Sequence, residues 1–138
     1  MSQKSEKRLR IGVVGCGNIS LAYMRNAPLF RDVEITTCAD LNPEAAKRRA
    51  EEFRLRATDV DSLLEDKEVD LVLNLTIPAA HFDISIRALS AGKHVFTEKP
   101  LGVNADEGRK LVDAAATRGL VIGSAPDTFL GAAGRHAR

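Results

Sequence analysis

The chain has 138 residues, of which 44% are hydrophobic and 28% are charged, a composition typical of one globular domain. A formal net charge of +1 and an aromatic content of 4% argue against a nucleic-acid-binding or acidic-membrane-binding surface. The basic start MSQKSEKRLR lacks the apolar core of a signal sequence, and the uncharged run 71–82 is shorter than the roughly 20 residues of a membrane span, so we expect a cytoplasmic location.

The first part of the chain alternates strand-like and helix-like segments. Runs rich in β-branched residues predict strands over Leu9–Val14 and Val33–Ala39. Apolar periodicity predicts a helix between them, ending at Pro28, with one buried face comprising Ile19, Ala22, Tyr23 and Ala27. Cys16 and Cys38 have neither disulfide nor metal-ligand spacing, and we expect both to be small buried hydrophobes.

A second helix is predicted after Asn42. This asparagine is a typical N-cap, and Pro43 suits the first helical position. The apolar face of the helix is expected to hold Ala46, Ala50 and Phe53, and its solvated side to hold Lys47, Arg48 and Arg49. A short strand over residues 55–58 and a brief helix over 59–65 are expected to follow.

The second part of the chain repeats this alternation. Residues 69–77 are almost continuously apolar, which is typical of a parallel strand covered on both faces. A helix with an apolar stripe at Phe82, Ile86 and Leu89 is expected next, ending at Gly92. His94–Thr97 is a predicted short strand that leads into the sequence Glu-Lys-Pro.

The last predicted helix begins with a capping box formed by Asn104 and Glu107 and ends at Gly119. It carries Leu111, Val112 and Ala115, and a final strand is expected over 120–123. Strands that alternate with helices throughout predict an α/β fold, a doubly wound parallel sheet of about six strands. Ligands of such sheets bind at the carboxyl ends of the strands.

The sequence Gly15-Cys16-Gly17-Asn18-Ile19-Ser20 follows the first strand and opens the first helix. Gly15 would permit the tight turn, and Gly17 would let the backbone approach a pyrophosphate closely. Asn18 and Ile19 begin a helix whose free N–H groups attract phosphate. Ser20 stands where a third glycine is usual, and its small side chain still permits close packing. The turn predicts dinucleotide binding, although a glycine-rich turn without a ligand has the same pattern.

Asp40 ends the second predicted strand. A carboxylate there can accept hydrogen bonds from the ribose hydroxyls of adenosine and repels a 2′-phosphate, which favours NAD over NADP. Arg48 and Arg49 do not obviously accommodate a 2′-phosphate, because they lie deep in the next helix. Asp40 could also be a turn residue beside Asn42. Enzymes that use S-adenosylmethionine share this arrangement, but their loops usually have an acidic residue where Val14 stands.

The segments GCGNIS, CAD, NLTIPAAHFDISIRALSAGKHVFTEKPLG and SAPDTFLG together resemble the Gfo/Idh/MocA oxidoreductases. The resemblance extends from residue 10 to residue 138, and AGKHVFTEKPLG is far more specific than the glycine-rich turn. It implies NAD(P)-dependent hydride transfer to or from a sugar, polyol or related compound. The implied partners are therefore a nicotinamide dinucleotide and a small-molecule substrate, and an oligomer is compatible with the full-length family.

The same resemblance implies roles for particular residues. Lys99 matches the catalytic lysine of the Glu-Lys-Pro motif, where an ammonium can stabilise alkoxide charge and help to move a proton. Glu98 would lie beside the nicotinamide ribose. Thr76, Pro78 and His81 match the segment that lines the dinucleotide. Without the resemblance, Lys99 would be a solvated turn residue and His81 an ordinary helix residue.

The resemblance also predicts the domain organisation. We expect a polar tail over residues 1–9, a dinucleotide-binding domain over 10–124, and over 125–138 the start of a linker to a second domain that the chain lacks. Pro126, Asp127 and Thr128 match the linker, and residues 132–138 resemble the start of a helix. Two functions remain open: the cofactor half of a dehydrogenase, inactive without the second domain, or a non-catalytic dinucleotide-binding module.

Overall fold

The computed structural model describes residues 7–126, which form one parallel sheet with helices between the strands. The strands in this part of the chain are β1 (Leu9–Val14), β2 (Val33–Ala39), β3 (Arg56–Thr58), β4 (Leu71–Asn74), β5 (His94–Thr97) and β6 (Ile122–Ser124). Their order in the sheet is β3-β2-β1-β4-β5-β6. This is the strand order of the Rossmann fold, so the predicted doubly wound sheet is confirmed.

The helices are α1 (Asn18–Asn26), α2 (Pro43–Phe53), α3 (Val60–Glu65), α4 (Pro78–Ser90) and α5 (Ala105–Thr117), and a 3-10 turn over Ala27–Leu29 follows α1. Two predicted caps are confirmed. The Asn42 side chain accepts a hydrogen bond from Glu44 N at 3.1 Å, and that of Asn104 accepts one from Glu107 N at 2.9 Å. Among residues 7–126, no helix has the length and apolar character that crossing a bilayer requires.

The buried face of α1 differs from the predicted one. Ser20 and Met24 are buried, whereas Ile19 is 44% exposed. The glycine-rich turn sets the rotation of the helix, and a small residue has to face the sheet where the helix approaches it closely. Apolar periodicity predicts Ile19 on the buried face because it takes no account of the small space between the helix and the sheet.

The apolar stripes of α4 and α5 are also corrected. The buried residues of α4 are His81, Ile84, Ser85, Ala88 and Leu89. Phe82 and Ile86 are only partly buried, because Ser85 bonds to Asn74 and the His81 ring bonds to Thr76 O and Pro100 O, which holds those two side chains inward. Leu89 is buried as predicted. In α5, Leu111 and Ala115 are buried as predicted, but Val112 is 49% exposed.

Strand β4 is shorter than the predicted 69–77. Leu75 N still donates to Val14 O at 2.8 Å, and beyond it the chain turns away towards α4. The third and sixth strands begin at Arg56 and Ile122, slightly later than predicted. The predicted helix over 132–138 and the linker residues Asp127 and Thr128 lie outside the described residues.

Both cysteines lie in the core, as predicted. Cys38 is fully buried and Cys16 is 4% exposed. Hydrogen bonding to the Cys38 thiol, together with burial, raises the pKa of the Cys16 thiol far above its ordinary value. Cys16 is therefore a thiol of the glycine-rich turn that is shielded from solvent.

An ion pair joins the amino ends of β1 and β4. The Arg10 guanidinium donates to both carboxylate oxygens of Asp70, from Nε at 3.1 Å and from Nη2 at 3.3 Å. Hydrogen bonding from Arg10 lowers the pKa of the Asp70 carboxyl below its ordinary value. The pair therefore favours the ionised carboxylate in the folded state.

This pair predicts a pH dependence of stability. Because the pKa of Asp70 is lower in the folded than in the unfolded state, the stabilisation is present above about pH 4 and is lost as the pH falls through the folded-state pKa. Over that range we expect the unsubstituted chain to lose about 1 kcal/mol more unfolding free energy than Asp70→Asn. Urea unfolding at a series of pH values measures this, and parallel profiles would contradict it.

Candidate functional site

The glycine-rich turn lies at the carboxyl end of β1, as the sequence predicts. Gly15 has a φ of 102°, and a Cβ there would lie 2.6 Å from the carbonyl carbon and oxygen of Leu75. Only glycine fits this position, because both the conformation and the close approach exclude a side chain. Gly17 has no atom within 4 Å of the place where its Cβ would be. The fold alone therefore does not require glycine at position 17.

The amino end of α1 faces the same edge of the sheet. Gly17 is the N-cap, and no side chain caps the first amides of the helix, which begins at Asn18 and Ile19. Free N–H groups at a helix amino end attract anions. Ser20 is fully buried and its hydroxyl donates to Gly17 O at 2.6 Å, so it fills the place of the usual third glycine without opening the turn.

Asp40 contacts the glycine-rich turn directly. Its Oδ2 accepts a hydrogen bond from Cys16 N at 2.7 Å, and its Oδ1 accepts one from Asn42 N at 2.8 Å. A carboxylate offers about four acceptor positions, so these bonds leave capacity for the hydroxyls of a ribose. The structure therefore brings together the two halves of the predicted fingerprint, the turn and the acidic residue.

Arg49 is a site neighbour that the sequence placed wrongly. It was expected on the solvated side of α2, but its side chain is only 12% exposed. Nε donates to Ser20 Oγ at 3.1 Å, Nη2 to Gly17 O at 3.5 Å, and Nη1 pairs with Glu52 at 3.0 Å. Helical periodicity locates a Cα, whereas a long side chain can reach back to a neighbouring helix. Arg49 thus places a cation beside the turn.

Asn74, at the end of β4, was not among the predicted site residues. Its Nδ2 donates to His81 O at 3.1 Å and to Ser85 Oγ at 3.0 Å, and its Oδ1 accepts from Thr76 Oγ1 at 2.6 Å. Its main-chain oxygen accepts from Glu98 N at 3.0 Å. An asparagine inside an apolar strand was the available sequence signal, because such a group is buried only with partners.

His81 lies beneath the site rather than at its surface. It is 1% exposed, with Nδ1 2.6 Å from Pro100 O and Nε2 2.9 Å from Thr76 O. His81 therefore joins the segment after β4 to the turn after β5. Thr76 is part of the same network, and Pro78, which begins α4, is exposed.

The turn after β5 carries Glu98 and Lys99. Lys99 is exposed, and its peptide bond to Pro100 is cis. Glu98 is partly buried, and its Oε1 accepts a hydrogen bond from the Tyr23 hydroxyl at 2.6 Å. Burial and this bond raise the pKa of Tyr23 above its ordinary value. The structure thus places every predicted site residue at or directly beneath one edge of the sheet.

A family model for oxidoreductases with an NAD-binding Rossmann fold, the Gfo/Idh/MocA family, matches residues 9–125. The match covers the glycine-rich turn, Asp40 and the Glu-Lys-Pro turn, and most of the chain. The chain belongs to this oxidoreductase family. The resemblance inferred from the motifs is thereby confirmed over residues 10–125.

Relatives within the family act on different compounds. The chain is 42% identical over 120 residues to dTDP-3,4-didehydro-2,6-dideoxy-alpha-D-glucose 3-reductase of Streptomyces violaceoruber, covering 84% of this chain and 34% of that protein. It is 31% identical over 115 residues to inositol 2-dehydrogenase of Salmonella paratyphi B, covering 80% and 34%. The chain therefore spans about a third of the length of these curated relatives.

A solved structure supports the same fold. Biliverdin reductase from Synechocystis sp. PCC 6803, crystallised with biliverdin and NADP+, matches with a TM-score of 0.86 and 29% identity. The match covers 92% of this chain and 40% of that chain.

Proposed function

We propose that this chain binds a nicotinamide dinucleotide along the carboxyl edge of its sheet and prefers NAD to NADP. The observation that carries the proposal is the position of Asp40, whose carboxylate bonds to the amide of Cys16 in the glycine-rich turn. A carboxylate at this place can accept hydrogen bonds from the 2′- and 3′-hydroxyls of the adenosine ribose. A 2′-phosphate would meet the same negative charge and would be repelled.

The glycine-rich turn and the amino end of α1 would bind the pyrophosphate. The open space at Gly17 lets phosphate oxygens approach the backbone, and the uncapped amides at Asn18 and Ile19 supply donors. Arg49 adds positive charge from behind the turn, although Glu52 partly neutralises it. These features fit a diphosphate linker better than a neutral ligand.

The turn after β5 would supply the residues that take part in the reaction of the whole protein. When bound, NAD would supply a hydride acceptor for a carbinol carbon. The exposed Lys99 would hydrogen-bond to the substrate oxygen: as a neutral amine it can take the hydroxyl proton while the hydride leaves, and as an ammonium it can return a proton to the carbonyl oxygen in the reverse reaction. Glu98 would accept a hydrogen bond from a hydroxyl of the nicotinamide ribose. We propose a sugar, polyol or related carbinol as the substrate class, supported by the activities for which the reductase and dehydrogenase relatives are named.

Titration of the purified chain with NAD and with NADP tests the cofactor proposal. We expect NAD to bind about tenfold more tightly than NADP, because one charge-assisted contact is gained and one repulsion is avoided. Asp40→Asn removes the charge with little change of shape, and we expect it to erase most of this ratio. Asp113→Asn, on the exposed side of α5, is the matched control and should keep the ratio. Equal affinities in the unsubstituted chain would refute the preference.

A further inference from the structure

Tyr23 links the two functional segments at opposite ends of the candidate site. It lies in α1, which begins at the glycine-rich turn, and its hydroxyl donates to Glu98 Oε1 at 2.6 Å. The two residues are separated by 75 positions in sequence. A bond of this length from a hydroxyl to a carboxylate is a strong, charge-assisted one.

The surroundings of Tyr23 keep its hydroxyl a donor. The ring borders an apolar groove formed with Ile11, Ile35 and Leu73, so its body is partly desolvated. Burial, and to a lesser extent the hydrogen bond to Glu98, raises the pKa of the phenol above its ordinary value. The phenol is protonated near neutral pH, and in the folded chain it donates its proton in the hydrogen bond to Glu98.

Glu98 is held at two points. Its main-chain N–H donates to Asn74 O at 3.0 Å, and its Oε1 is fixed by Tyr23. A carboxylate held by one oxygen can still accept through the other. We propose that Tyr23 is a positioning residue that aims the free oxygen of Glu98 at the nicotinamide ribose, and so controls affinity for the nicotinamide half of the cofactor. This inference rests on the proposed function.

The chain contains one Tyr and no Trp, so its intrinsic fluorescence reports on Tyr23 alone. A carboxylate that accepts a hydrogen bond from the phenol quenches tyrosine emission. We expect Glu98→Gln to raise the emission of the folded chain, and Tyr23→Phe to abolish it. Glu51→Gln, at an exposed position of α2, is the matched control and should leave emission unchanged. Unchanged emission in Glu98→Gln would overturn the proposed contact.

Binding of NAD and of ADP separates positioning from general damage, because ADP shares the adenosine diphosphate half and lacks the nicotinamide riboside. We expect Tyr23→Phe, which keeps the ring, to weaken NAD binding about three- to tenfold and to leave ADP binding unchanged. In a Glu98→Gln background it should weaken NAD no further, because the two residues act as one unit.

The possible failures are distinguishable. Equal losses for NAD and ADP, or no loss for NAD, would overturn the role of Tyr23 and leave the proposed cofactor site standing. If the unsubstituted chain bound no NAD, both proposals would fall.

Discussion

Gly15→Ala is expected to destabilise the fold strongly, whereas Gly17→Ala is expected to spare the fold and weaken cofactor binding. At Gly15 a Cβ would lie 2.6 Å from main-chain atoms of Leu75, and the φ of 102° is one that alanine rarely adopts. Together these effects should lower the free energy of unfolding by about 3 to 5 kcal/mol. Urea unfolding of both variants measures the difference.

Gly17 provides the matched comparison because the same methyl group would enter open space there. Its backbone is extended, with a φ of −73°, so alanine fits, and the expected loss of stability is below about 1 kcal/mol for an N-cap exchange. The methyl group would, however, stand where the pyrophosphate approaches the backbone. We expect NAD to bind at least about tenfold more weakly. Unchanged NAD affinity in Gly17→Ala would refute the assignment of the turn to phosphate binding.

The sheet and the main features of the site could be predicted because they depend on short-range signals. Strand-like runs alternating with helical periods predict parallel crossovers, and the carboxyl ends of such strands meet at one edge. This rule placed Asp40 at the same edge of the sheet as the glycine-rich turn, and the structure adds a direct hydrogen bond from Cys16 N to Asp40. Caps such as Asn42 were predictable for the same reason, since their partners lie within one helical turn.

The features that escaped prediction depend on contacts distant in sequence. Arg49 reaches Gly17 across 32 positions, and Tyr23 reaches Glu98 across 75, which no local pattern encodes. The rotation of α4 follows from polar contacts of His81 and Ser85, so apolar periodicity was right for Leu89 but wrong for Phe82 and Ile86. In α1, tight packing against the sheet selected Ser20 over Ile19. Polar and steric constraints from the tertiary structure decided each of these cases.

Asn74→Leu is expected to be among the most damaging substitutions, although it adds an apolar residue to an apolar strand. Asn74 is fully buried, and its side chain bonds to His81 O, Ser85 Oγ, and the amide and hydroxyl of Thr76. Leucine has the same number of side-chain heavy atoms but is larger, and it would leave His81 O and Ser85 Oγ buried, and the groups of Thr76 partly buried, without that partner. Each unsatisfied polar group costs about 1 to 3 kcal/mol, and we expect a total loss of about 3 to 5 kcal/mol in unfolding free energy.

Two further variants test whether the loss of stability comes from the hydrogen bonds of Asn74 or from replacing any asparagine. Ser85→Ala removes one bond of the network, and we expect a loss of about 1 kcal/mol. Asn26→Ala, at the exposed end of α1, should change stability by less than about 0.5 kcal/mol. Because the network also holds the segment after β4 against the turn that carries Lys99, Asn74→Leu should weaken NAD binding even under conditions where the variant remains folded. A loss of stability no larger than that of Asn26→Ala would show that the hydrogen bonds of Asn74 are dispensable.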